Sequence, residues 1–148
     1  MTKEESDMAQ YDLDRFLKGQ ARNYDAALQE IREGCKRSHW MWYVFPQIQG
    51  LGYSSTAQYY AIRDLGEAKA YLQHPILRER LLEISNALLA LDSHNASAVF
   101  GWPDDMKLRS SMTLFAQAEP SCDVFQRVLD QYFNGKMDEN TLSILASM

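Results

Sequence analysis

Leu77, Leu81, Ile84, Leu88 and Leu91 recur at three- and four-residue steps, while Arg78, Glu79, Arg80 and Glu83 take the positions between them. That period puts the apolar side chains on one stripe and predicts a helix over Ile76–Leu91. Phe125, Val128, Leu129 and Tyr132 predict a second amphipathic helix over Cys122–Phe133, with Asn134-Gly135 as its stop. Ala27, Leu28 and Ile31 predict a third over Tyr24–Glu33, capped by Asn23 and ended at Gly34. Tyr11, Leu13, Phe16 and Leu17 predict a separate short helix or extended segment docked on the core.

Capping signals supply the remaining helices. Ser54 or Ser55 opens one through Ile62, and Asp64 with Glu67 three residues on opens Leu65–Gln73. His74-Pro75 closes the latter, because the residue before proline is pushed out of the helical region. A loop from Asp92 to Ser97 leads to a turn ending at Gly101, and Trp102-Pro103-Asp104 introduces a helix over Asp104–Ala116. Asp138 caps a final helix through about Leu145. The run Ser38-His39-Trp40-Met41-Trp42-Tyr43-Val44-Phe45-Pro46-Gln47 has neither a helical nor an alternating period. With Pro46, Gly50 and Gly52, it predicts an irregular aromatic loop. The expected fold is all-α: one compact domain over residues 10–148, with about six to eight helices and one aromatic-rich loop, behind a polar leader over residues 1–9.

A chain of 148 residues suits a single domain, and 46% hydrophobic with 24% charged residues excludes a disordered one. The net charge of −5 speaks against duplex nucleic acid as a partner, since basic residues cluster only at Lys36-Arg37 and Lys107/Arg109. No apolar run approaches the roughly 18 residues of a bilayer span, and the first residues lack a secretory apolar region. Cys35 and Cys122 fit no metal-ligand spacing and suit reduced thiols, which points to a cytoplasmic protein. His39, His74 and His94 show no zinc spacing, and no nucleotide-loop motif is present, so neither metal nor cofactor is expected. Symmetric self-association is the commonest assembly, which makes a homodimer the default expectation.

Two constellations carry candidate chemistry. In the aromatic run, Trp40 and Trp42 can wall a pocket or stack on a planar ligand, and Gln47 can read a polar edge. Imidazoles titrate near neutrality, so His39 is the candidate acid–base group. The alternative is that these rings fill the core, with His39 hydrogen-bonded structurally. In the second constellation, Lys107, Ser110 and Ser111 share a helix face, with Arg109 close by. Lys107 with Ser110 or Ser111 can hold an anion, and Arg109 can pair with a phosphate. A serine–lysine nucleophile is the weaker reading, since no oxyanion arrangement is visible. The bland alternative is a solvated helix face with its serines bonded back to the backbone. The expectation is a small planar or anionic, nucleotide-like ligand between the aromatic loop and the Lys107–Thr113 helix. The competing expectation is a protein–protein interaction module or a structural accessory domain. Whether the protein is an enzyme stays open; metal-free hydrolysis or lysis of a nucleotide-derived bond would suit these groups.

Three segments together resemble a known family. They are Ser38–Gln47 with Gly50-Leu51-Gly52; Asp105 with Lys107–Phe115; and Val128–Phe133 with Gly135, Asp138 and Thr141-Leu142. The chain after Ala9 resembles the DUF1810 family of small bacterial proteins of unknown function, sometimes labelled calpastatin-like. The resemblance implies a mostly helical fold and no particular activity. Calpastatins are long, disordered and repetitive, whereas this chain has no repeat.

Overall fold

A computed structural model describes residues 11–148. The leader expected over residues 1–9 lies outside the described residues. Nine helices form among them: α1 (Asp14–Arg32), α2 (Met41–Val44), α3 (Ser55–Tyr60), α4 (Leu65–Gln73), α5 (Pro75–Ala90), α6 (Ala96–Phe100), α7 (Asp104–Ala118), α8 (Val124–Phe133) and α9 (Glu139–Ala146). The fold is all-α, and the only extended pairing among the described residues is an isolated parallel bridge between Ile48 and Ile62. No helix there is long and apolar enough to cross a membrane.

Helix α7 is the axis of the molecule, packing against α4, α6, α8 and α9. Its residues explain that position. Leu108, Met112, Leu114 and Phe115 supply apolar volume, and Ser110, Ser111, Thr113, Ala116 and Ala118 are small enough to let neighbours approach on several sides. Hydroxyls buried this way need acceptors. Ser110 Oγ donates to Met106 O at 3.1 Å, and Thr113 Oγ1 to Arg109 O at 2.8 Å. Around α7, Phe16, Tyr71, Phe115 and Phe125 form one chain of touching rings across α1, α4, α7 and α8. Trp40, Phe45 and Phe100 form a second cluster below the aromatic segment.

Most helix boundaries follow the expected caps. Ser54 accepts from Ala57 N, Asp64 from Glu67 N and Asp138 from Thr141 N. His74 ends α4 and caps α5 through its own Nδ1. Gly34 (φ 77°), Asn134 (φ 54°) and Gly135 (φ 78°) take the left-handed conformation expected at helix stops.

Three features differ from the sequence expectation. The segments expected as a short first helix and Tyr24–Glu33 are one continuous α1. Asn23 therefore lies mid-helix, where its amide donates to Tyr43 Oη instead of capping. Position 19, within the same helix, takes glycine because a Cβ there would meet the Tyr43 ring at 2.7 Å. The aromatic segment contains one helical turn, α2, whose apolar residues Met41, Tyr43 and Val44 are buried. Helix α3 stops at Tyr60, because Ile62 leaves the helix to pair with the chain at Gln47–Gln49. The short α2 and α6 account for a count above the expected six to eight.

Candidate functional site

Two buried carboxylates fix the ends of the aromatic loop. Glu30, on α1, accepts hydrogen bonds from Arg37 N (2.7 Å), Ser38 N (2.9 Å), Ser38 Oγ (2.5 Å) and Trp40 Nε1 (3.0 Å). Burial raises a carboxyl pKa, but bonds to the charged form outweigh it here and bring Glu30 down to about 2. At the other end, Arg15 forks onto Glu67 at 3.1 and 3.2 Å. It also donates to the Tyr59 and Ala61 carbonyls, both at 2.9 Å. Glu67 Oε1 in turn accepts from Arg63 N at 2.7 Å. Residues 59–63 are thereby pinned to α1. Ile62 N then donates to Gln47 O, and Gln49 N to Ile62 O, each at 2.8 Å.

Between these anchors the loop faces α7 across an open cleft of about 470 Å³. Trp42, Gln47 and Gly52 line the loop side, and Met106, Lys107 and Ser110 line the helix side. Asp138 and Asn140 form its end wall. Gly52 is required by this closure, because a Cβ there would lie 2.7 Å from Ala57 Cβ.

The charge of the cleft comes from a shared counter-ion. Asp104 meets Lys36 at 2.9 Å and Lys107 at 3.4 Å, so one carboxylate serves two ammonium groups and the set retains one positive charge. Lys36 is further committed to Ser38 O at 2.6 Å and is nearly buried. Lys107 is about a quarter exposed, faces the cleft and stands 5.1 Å from the centre of the Trp42 ring.

The structure divides the sequence candidates. Trp42, Gln47, Lys107 and Ser110 converge on the cleft. Trp40 does not, as it is fully buried in the core with its N–H committed to Glu30. Its expected place as a pocket wall is corrected accordingly: its indole has a carboxylate partner on the inner side of the loop. His39 is exposed and lies outside the cleft lining, and its backbone carbonyl accepts from Tyr43 Oη at 3.2 Å. Ser111 is sealed in the core and does not line the cleft.

Arg109 borders a second cleft, of about 600 Å³, together with Lys136 and Asp138. The sequence reading missed Met106, Asp138, Asn140 and the Tyr53–Ala57 wall. Asp138 was legible only as a helix cap, which it is; nothing in its spacing shows that it also borders both clefts. Among the described residues, no group of three or more His, Cys, Asp or Glu side chains converges to hold a metal.

Comparison with known proteins agrees with this architecture. The crystal structure of the conserved hypothetical protein Rv1873 from Mycobacterium tuberculosis superposes with a TM-score of 0.90 at 46% identity. The match covers 92% of this chain and 97% of that one. No curated protein matches the chain. The family model described as a protein of unknown function (DUF1810) matches residues 10–145, nearly the whole length, and the chain belongs to that family.

Proposed function

We propose that the Trp42 cleft binds a small planar ligand carrying negative charge. The observation that carries this reading is the juxtaposition of Trp42, Gln47 and Lys107 around one opening. An indole presents a face for stacking, an amide can read a ring edge with both donor and acceptor, and an under-neutralised ammonium attracts an anion. Among the described residues Lys107 has one ion pair, at 3.4 Å, besides its approach to the Trp42 ring, so donors remain for a ligand. Ser110 sits beside it, although its hydroxyl already bonds back to Met106. His39 and Trp40 take no part in this reading. A nucleotide fits the description best, with its base at Trp42 and a phosphoryl group at Lys107.

The test is titration of adenosine 5′-monophosphate followed by tryptophan fluorescence. The chain has three tryptophans: Trp40 is buried, Trp42 borders the cleft and Trp102 is 81% exposed. Quenching that survives Trp102→Phe and disappears in Trp42→Phe, with at least a tenfold loss of affinity in Lys107→Ala, supports the cleft. Binding unchanged in Trp42→Phe and Lys107→Ala removes it.

One observation favours a second reading, a docking site for another protein. Tyr53 is 84% exposed and Met106 40%, both at the cleft rim, and Trp102 adjoins the rim residue Pro103. Exposed apolar side chains grouped around an opening mark interaction surfaces. In that case Trp102 and Tyr53 are the anchors, and small ligands leave the fluorescence unchanged.

A further inference from the structure

Two side-chain polar atoms are buried without a hydrogen-bond partner among the described residues: Ser111 Oγ and Arg109 Nε. Ser111 is enclosed in the core, where a hydroxyl has no access to a ligand. Arg109 Nε is equally enclosed, but the Arg109 side chain as a whole is a quarter exposed and borders the second cleft. Its carboxylate neighbour, Asp138, is 3.7 Å away, beyond hydrogen-bonding distance. Arg15 shows what a satisfied arginine looks like in this protein, with a forked carboxylate and carbonyl acceptors for its other donors. Arg109 has the same rigid fork of donors without hydrogen-bond acceptors among the described residues, its guanidinium lying 5.9 Å from the centre of the Phe133 ring. Lys136 lines the same cleft and makes no ion pair among the described residues, and the exposed Glu139 lines it as well.

The second cleft adjoins the first. Asp138 and Asn140 border both, so a ligand leaving Trp42 along that wall reaches Arg109 and Lys136. Asp138 also sets what can lie in between. Its Oδ2 is occupied by Thr141 N (2.9 Å) and Thr141 Oγ1 (2.6 Å), whereas Oδ1 has only the distant Arg109. A free carboxylate oxygen accepts from hydroxyl groups and repels anions. The part of the ligand crossing Asp138 is therefore neutral and hydroxyl-bearing, and the negative charge resumes beyond it.

Building on the proposed cleft reading, we infer that Arg109 and Lys136 form a second anion subsite, and that the ligand class is a nucleotide with phosphoryl groups on both sides of its sugar. The base rests at Trp42, one phosphoryl group meets Lys107, the sugar crosses Asp138 and Asn140, and the other phosphoryl group meets Arg109 and Lys136.

The experiment compares adenosine 5′-monophosphate with adenosine 3′,5′-bisphosphate by calorimetric titration of the full chain. A charge-assisted contact predicts about a tenfold or greater gain for the bisphosphate. Arg109→Gln and Lys136→Gln should each abolish most of that gain while leaving monophosphate affinity unchanged. Two variants are used because Arg109 is partly buried and Lys136 is exposed, so a folding defect in one does not obscure the other. Monophosphate binding that depends on Trp42, with no gain from the second phosphoryl group, overturns the subsite and leaves the cleft reading standing. A gain that persists in both glutamine variants also overturns it. Binding of neither nucleotide removes the cleft reading and the subsite together.

Discussion

Glu30 and Arg109 are charged side chains set into the same small domain, and the protein treats them in opposite ways. Glu30 has donors from two backbone amides, a hydroxyl and an indole, all on the segment it anchors. Arg109 has a buried Nε without an acceptor among the described residues and a carboxylate too far away to bond. Burying polar groups without partners is costly, so a fold keeps them satisfied wherever their role is to hold the chain together. The satisfied groups, Glu30 and the Arg15–Glu67 pair, sit behind the aromatic loop and position it. The under-satisfied ones, Arg109 and Lys107, sit in front of it, at the clefts. Among these charged side chains, saturation of hydrogen bonds thus separates the scaffold from the surface at the clefts.

The contrast can be broken most severely at Arg15. Arg15→Met leaves Glu67 buried without its cation and several carbonyls without donors, and should destabilise the protein by about 3–5 kcal/mol in chemical denaturation. Glu30→Ala comes next. It strands the Trp40, Ser38 and Arg37 donors together and should cost about 3 kcal/mol, measured the same way.

The acid limb of stability tests the same anchor with a defined sign. Glu30 titrates near 2 when folded, against an ordinary value of 4.5. Its contribution is therefore complete above 4.5 and is lost as the pH falls from there towards 2. Glu30→Gln should flatten that part of the pH–stability profile.

The groups without hydrogen-bond partners should respond weakly or in the other direction. Arg109→Gln should change stability by no more than about 0.5 kcal/mol, because its ion pair is long and partly exposed. Ser111→Ala removes a buried hydroxyl that has no partner and should stabilise by up to about 1 kcal/mol. A large loss at either position would mean that the contrast is misdrawn.

Legibility in the sequence follows the same division. Helices with a clean apolar stripe or a local cap, such as α4, α5 and α8, depend on neighbours within four residues, so their pattern is written locally. Asn23 looked like a cap because asparagine commonly is one; a tyrosine 20 residues away uses its amide instead. Trp40 and Trp42 are chemically alike and two residues apart, yet one faces Glu30 and the other the cleft. That separation depends on a single helical turn held by a distant carboxylate, which no spacing rule reveals. Gln47 stood out as a polar residue beside the aromatic run, and Lys107 and Ser110 as residues three apart on one helix face. Asp138 was concealed by having a sufficient local role at the start of α9.

The sharing of Asp104 between Lys36 and Lys107 has a consequence for solution behaviour. Two cations share one anion, so this group keeps a positive charge that draws a mobile anion from solution. An anionic ligand of the proposed kind would displace that ion, so its binding would compete with the electrolyte. Affinity at this cleft should therefore fall as ionic strength rises, while the Glu30 anchor, whose donors are neutral, remains indifferent to it.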